Sequence, residues 1–178
     1  DCLLSRGLGD VYKRQAIGQS YSLFTPLQLA NYVATLAGGG TRYNAHLLKE
    51  VRTYDSAELV DVYDEPPAEI VDIEPENLQA VLQGMRDLVV SGSVAYYFKD
   101  CVVDAAAKTG TAQTGGKVSN GVFVAFAPYD DPQIALAVVI EKGGSGGALA
   151  STAVQILNAY FTSVDEAKAV VGENMLIQ

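Results

Sequence analysis

The chain has 178 residues, of which 49% are hydrophobic and 19% charged, with a formal net charge of −9 and an isoelectric point near 4.4. That length suits one domain with a sizeable core, and the apolar content excludes an intrinsically disordered chain. The acidic balance leaves no basic stripe for phosphates, which excludes a nucleic-acid partner; Cys2, Cys101 and the single His46 make neither a disulfide framework nor a zinc set, so no metal and no cofactor is expected.

No apolar run reaches the ~18 residues that a membrane-crossing helix needs, and no secretory signal is visible. Residues 1–15 carry no helical or strand period and no initiator Met, and are expected to be a non-native or mis-assembled leader. Thr25-Pro26 then opens a helix, since threonine caps and proline fits the first helical position. Leu27, Ala30, Val33, Ala34 and Ala37 recur at helical spacing before Gly38-Gly39-Gly40, which predicts a helix over 26–37 with one buried face. Residues 42–53 and 57–63 read as strands on Leu47, Val51, Leu59 and Val60, with a turn at Asp55-Ser56. Pro66-Pro67 breaks the pattern, and Ile70-Val71 adds a short strand. Pro75 starts a second helix with a stripe of Leu78, Val81, Leu82, Met85, Leu88 and Val89; Gly92 ends it, and residues 93–99 add a helical turn.

Three strand-like runs follow, at 102–113, 121–127 and 134–141, with Pro128 and Asp130-Asp131-Pro132 turning the chain between the last two. The run from Ile134 to Glu141 is apolar enough for a central strand covered on both faces. Gly143 to Gly147 leads into a long helix with Leu149, Ala153, Ile156, Leu157 and Tyr160 on its apolar face, and residues 164–178 read as a short helix and a tail. Consecutive strands joined by short turns predict an antiparallel sheet flanked by helices, an α+β fold.

The candidate site is Lys108-Thr109-Gly110-Thr111, inside the first of those three runs. A strand can pair its main chain with an extended peptide, and a glycine leaves that approach unobstructed. An N–H fixed on such a strand can meet the oxygen that turns negative in acyl transfer, a contribution of about 3–4 kcal/mol. The lysine adds positive charge near a substrate carboxylate or a proton relay, and the threonine hydroxyls can hydrogen-bond a carboxylate. A phosphate loop is excluded, because Gly116 stands where that pattern needs Lys, and Val118 follows Lys117, so the hydroxyl that should come after the lysine is missing too. Gly143 to Gly147 likewise fails a dinucleotide pattern. His46 reads as a structural or surface residue, Asp72, Glu74 and Glu76 as a solvated helix start, Tyr96-Tyr97-Phe98 as packing, and Cys101 as a buried small residue.

Several separate motifs, in order, resemble class B penicillin-binding proteins. They are Ala16-Ile17-Gly18-Gln19-Ser20, Thr25-Pro26-Leu27-Gln28-Leu29-Ala30, Gly38-Gly39-Gly40-Thr41 and Tyr43-Asn44-Ala45-His46-Leu47. Gly84-Met85, Val89-Val90-Ser91-Gly92-Ser93, Lys108-Thr109-Gly110-Thr111-Ala112-Gln113, Phe123-Val124-Ala125-Phe126-Ala127-Pro128, Val138-Val139-Ile140-Glu141 and Gly146-Gly147 continue the series. The resemblance covers residues 16–163 and is greatest to the elongation-type, monofunctional transpeptidases.

The resemblance implies the penicillin-binding transpeptidase or serine β-lactamase-like fold, incomplete here, with residues 16–163 as the C-terminal part of the domain and 164–178 as a tail. It implies a parent enzyme that crosslinks peptidoglycan by attacking the D-Ala-D-Ala end of a stem peptide with a serine, and that β-lactams trap. It implies Lys108, Thr109, Gly110 and Thr111 as catalytic, with Thr109, Thr111 and Gln113 towards substrate and the Thr111 N–H as an oxyanion donor. A membrane anchor at the extracytoplasmic face and cell-wall synthesis partners are implied for the parent. No serine here has Lys three residues later or Asn two residues later, so the chain is expected to lack the nucleophile and to be inactive alone. Ser119-Asn120-Gly121-Val122 stands where the family often has an aromatic residue or His. A serine β-lactamase and a non-catalytic penicillin sensor of the same fold are the alternatives.

Overall fold

The computed structural model describes Gly18 and residues 23–113 and 118–173, with side chains through Ser163. The expected leader 1–15, most of the 16–20 motif and the glycines at 115 and 116 lie outside the described residues. Helix α1 (Pro26–Ala37) matches its expected span. Its first turn is closed by a capping box: the Gln28 N–H donates to Thr25 Oγ1 at 3.2 Å, and the Thr25 N–H donates to Gln28 Oε1 at 2.8 Å.

The segment after α1 differs from its expectation. Residues 42–53 and 57–63 are not two long strands. They resolve into β1 (Thr41–Arg42), β2 (Glu50–Arg52) and β3 (Leu59–Val62), and β4 (Glu69–Ile70) follows. β1 pairs with β4 and β2 with β3, each antiparallel. The physical reason is the lack of a surface to cover them. Leu47, Val51, Leu59 and Val60, the side chains that suggested strands, are all exposed, so burial does not extend the ladder.

Helix α2 (Pro75–Val90) also matches, but its stripe is narrower than expected: Met85 and Val89 are buried while Val81 is exposed. The short α3 (Ala95–Phe98) supplies the expected turn. The main sheet then forms from β5 (Ala106–Ala112), β6 (Asn120–Ala127) and β7 (Ile134–Ile140), all antiparallel and ordered β5-β6-β7. Among the described residues β7 is therefore an edge strand, not a central one. Its apolar run answers to its two faces instead: Leu136 packs into one core and Ala135 against the other. A 3-10 turn (Gly146–Leu149) leads into α4 (Ala150–Glu173), which continues through 164–173 as one helix rather than breaking there.

The two cores lie on opposite faces of the sheet. One gathers Phe123, Ala125, Leu136, Leu149, Ala153 and Leu157 beneath α4, with Val89 and Val94. The other gathers Ala106 and Phe126 against Val33 of α1 and Met85 of α2. The α+β architecture expected from the sequence is the one observed: helices around an antiparallel sheet.

Candidate functional site

Lys108, Thr109, Gly110 and Thr111 occupy the middle of β5, opposite Val124, Phe123, Val122 and Gly121 of β6. β5 is an edge strand among the described residues, so one side of its main chain is unpaired by the sheet. Strand alternation sends Lys108 and Gly110 to one face and Thr109 and Thr111 to the other. The four therefore converge only along that open edge. Lys108 and Thr111 are exposed there, and Thr109 and Gly110 are half-buried. Gln113 follows the strand and is exposed. The Lys108 ammonium folds back over the strand and donates to the Thr109 carbonyl at 2.6 Å.

Two helices fasten the start of the strand. Arg86 of α2 donates through Nη1 to the Ala105 carbonyl at 2.9 Å and through Nη2 to Asp104 Oδ1 at 2.7 Å. Its guanidinium also lies over the Tyr129 ring, 5.6 Å from the centroid. Asn158 of α4 accepts the Val102 N–H at 2.9 Å and donates to the Asp100 carbonyl at 3.0 Å. Below the strand, Phe123 is fully buried and stacks on Phe98, with centroids 6.3 Å apart. The site thus combines an exposed lysine and two hydroxyls with a main chain that is fastened just before the strand by Arg86 and Asn158.

Sequence reasoning missed the support on the hydroxyl face. The turn after β7 seats directly on the strand: the Gly146 N–H donates to Thr111 Oγ1 at 3.4 Å, and Gly146 is itself buried. Gly146-Gly147 was legible only as part of an ordered series of motifs, because nothing local indicates which strand a turn will touch.

The remaining candidates sit elsewhere. His46 lies in the segment between β1 and β2, donates from Nδ1 to the Leu48 carbonyl at 2.7 Å and stacks on Tyr63 at 3.8 Å. Asp72, Glu74 and Glu76 are exposed. Tyr96 is exposed beneath Lys99, whereas Phe98 packs against the core, so the aromatic run is only partly packing. Cys101 is half-buried rather than buried, and desolvation pushes its thiol pKa up. A cavity of about 620 Å³ opens beside α1, lined by Phe24, Leu27, Tyr32, Tyr43, Val71 and Ile73 among others. None of residues 108–113 lines it, and Arg42 is its one charged wall residue among the described residues, so size alone does not make it the reactive site. Among the described residues there is no cluster of His, Cys, Asp or Glu able to hold a metal, and no helix is long and apolar enough to cross a membrane.

Three similarities place this geometry. The chain is 38% identical over 139 residues to penicillin-binding protein 2A of Bacillus subtilis (strain 168), covering 70% of this chain and 19% of that protein. It is 31% identical over 160 residues to the peptidoglycan D,D-transpeptidase MrdA of Escherichia coli (strain K12), covering 80% of this chain and 25% of that protein. In structure it is similar to Pseudomonas aeruginosa PBP2 in complex with WCK 5153, with a TM-score of 0.67 and 34% identity over 81% of this chain and 32% of that one. The chain thus spans about a third or less of each of these proteins. The family model for the penicillin-binding protein transpeptidase domain matches residues 9–160, a span that takes in part of the expected leader and every element up to the first half of α4. A match over that much of the chain, on a sheet whose motif strand lies at an open edge, makes this chain a member of the penicillin-binding protein transpeptidase domain family.

Proposed function

We propose that this chain is the C-terminal part of a peptidoglycan D,D-transpeptidase domain, comprising residues 16–163 with 164–178 as a tail. Its parent crosslinks stem peptides through an acyl-serine intermediate and is acylated by β-lactams. The observation that carries this reading is the placement of Lys108-Thr109-Gly110-Thr111 on the open-edged strand β5, with Lys108 and Thr111 exposed, in a chain of this family. An extended D-Ala-D-Ala end pairs with that edge as an added strand. The Thr111 N–H receives the developing oxyanion, Lys108 supplies positive charge to the reacting groups, and the Thr109 and Thr111 hydroxyls, with Gln113 beyond them, hold the ligand carboxylate. Gly110 keeps that approach clear.

The nucleophile is supplied from outside this chain, since none of its serines stands in a Ser-x-x-Lys setting. The 178-residue chain alone is therefore inactive, and the parent works at the outer face of a bacterial membrane with cell-wall synthesis partners. A fluorescent penicillin tests all of this. The full-length parent is expected to form a stable covalent adduct, and the 178-residue chain none. An unlabelled parent would overturn the transpeptidase reading. Rapid loss of label by hydrolysis would make the parent a β-lactamase, and labelling of the 178-residue chain would place a nucleophile within it.

A further inference from the structure

Gly146 lies closer to the motif strand than any side chain would allow. A Cβ built on it would stand 2.2 Å from the Gly110 carbonyl oxygen, 2.3 Å from the Val122 carbonyl oxygen and 2.8 Å from the Gly110 nitrogen. All three are main-chain atoms, which cannot swing aside as a side chain does. The neighbouring rung is also covered, though less tightly: a Cβ on Gly121, which pairs with Thr111, would meet the Ser145 carbonyl oxygen at 3.3 Å and Leu149 Cδ1 at 3.4 Å. The turn from Ser145 to Leu149 is thus seated on two successive rungs of the β5–β6 ladder, those of Gly110 and Thr111. Gly147, one residue on, has nothing nearer than 3.6 Å and is free of this constraint.

The same contact constrains a hydroxyl. Thr111 Oγ1 accepts the Gly146 N–H, and a hydroxyl carries one proton of its own to donate. Among the described residues no acceptor takes that proton. With the turn-side lone pair engaged, the O–H is left to point away from the turn.

We propose that Gly146 is a positioning residue for this site, resting on the functional reading given above. Its bare Cα lets the turn after β7 seat on the Gly110–Val122 rung, and its N–H orients the Thr111 hydroxyl so that the proton faces the ligand carboxylate. Any side chain at 146 must lift the turn or push β5 outwards, and either movement breaks the bond to Thr111. Among the described residues β5 is paired on one side only, so its main chain yields along with the oxyanion donor it carries.

The test compares wild type, Gly146→Ala, Gly147→Ala and Ser145→Ala in the full-length parent, using the rate constant and the amplitude of labelling by a fluorescent penicillin. A displacement of about 1 Å at a reacting geometry costs on the order of 10²-fold, and that is the loss of rate expected for Gly146→Ala. Amplitude is expected to stay full, because a merely structural defect would lower the fraction of labelled molecules without slowing the rest. Gly147→Ala is expected to label within twofold of wild type. Ser145→Ala removes the oxygen that accepts the Gly147 N–H at 3.2 Å, loosens the turn while leaving every glycine in place, and is expected to slow labelling several-fold. A Gly146→Ala protein that labels at the wild-type rate would overturn the proposal. If that variant does not fold, an unchanged rate in Ser145→Ala would overturn it instead. Failure of the wild-type parent to label would overturn the functional reading and this inference together, whereas a labelled wild type with indifferent variants would overturn this inference alone.

Discussion

Arg86 and Asp104 meet at 2.7 Å, yet they are unequal partners: the Arg86 side chain is 22% exposed and that of Asp104 is 73% exposed. The second arm of the guanidinium, on the half-buried side, holds the Ala105 carbonyl just before the motif strand begins. The ion pair is largely solvated and contributes little, while the bond to the carbonyl contributes more.

That asymmetry sets two expected outcomes. Asp104→Ala should cost less than about 1 kcal/mol. Arg86→Ala should cost about 1.5–3 kcal/mol, since a charged donor to a partly buried carbonyl is lost. Arg86→Lys should recover little, because an ammonium cannot span both acceptors and cannot lie flat over Tyr129. Urea unfolding midpoints check all three.

Lys108→Ala in the full-length parent should slow acylation by a fluorescent penicillin on the order of 10²-fold while leaving the unfolding midpoint nearly unchanged. The side chain is exposed, and among the described residues its one bond is to the carbonyl of the next residue, so the fold does not depend on it. A wild-type labelling rate in this variant would remove Lys108 from the site.

Phe123→Ala should be severe. The ring is fully buried, stacks on Phe98 and stands opposite Thr109 in the ladder. Truncation of a buried phenylalanine costs about 3–5 kcal/mol. Denaturant titration should show that loss, and acylation of the parent should fall with it because the strand that carries this side chain is the one paired with the motif strand.

Cys101 gives a pH prediction. Burial raises its thiol pKa in the folded chain, with the Asp104 charge acting the same way and a hydrogen bond from the Val103 main chain opposing both. A raised value means the protonated form is favoured by folding. The resulting stability is present in full below the ordinary thiol pKa of about 8.5 and is lost as pH rises through the folded-state value. The difference in unfolding midpoint between wild type and Cys101→Ser should be flat from neutral pH to about 8 and shrink above it. At pH 8, peptide mapping after iodoacetamide should show Cys101 modified more slowly than a free cysteine.

What the sequence made legible follows from how local each cause is. α1 and α2 were legible end to end because Thr25, Pro26, Pro75 and the apolar spacing act within one or two turns. The three strands of the main sheet were legible because turn residues separate apolar runs. The strands between α1 and α2 were overestimated, since Leu47, Val51 and Val60 have β-type side chains but no partner surface to bury them. β7 was legible as covered on both faces but not as an edge, because composition reports burial and not strand order. The motif at Lys108 was visible as four letters. The hold on it from Arg86, Asn158 and Gly146 was not, for those contacts span 18 to 58 residues of chain and depend on the finished fold.

β6 serves as a wall shared by two cores, lending Phe123 and Ala125 to one and Phe126 to the other. Neither core can loosen without disturbing the strand that both rely on, so the two should melt in a single cooperative step. β5 has no other neighbour in its sheet among the described residues. Its amides that point at β6 are therefore expected to exchange with solvent only when the whole body opens, while those on the free side exchange readily: a stiff rail with one wet flank.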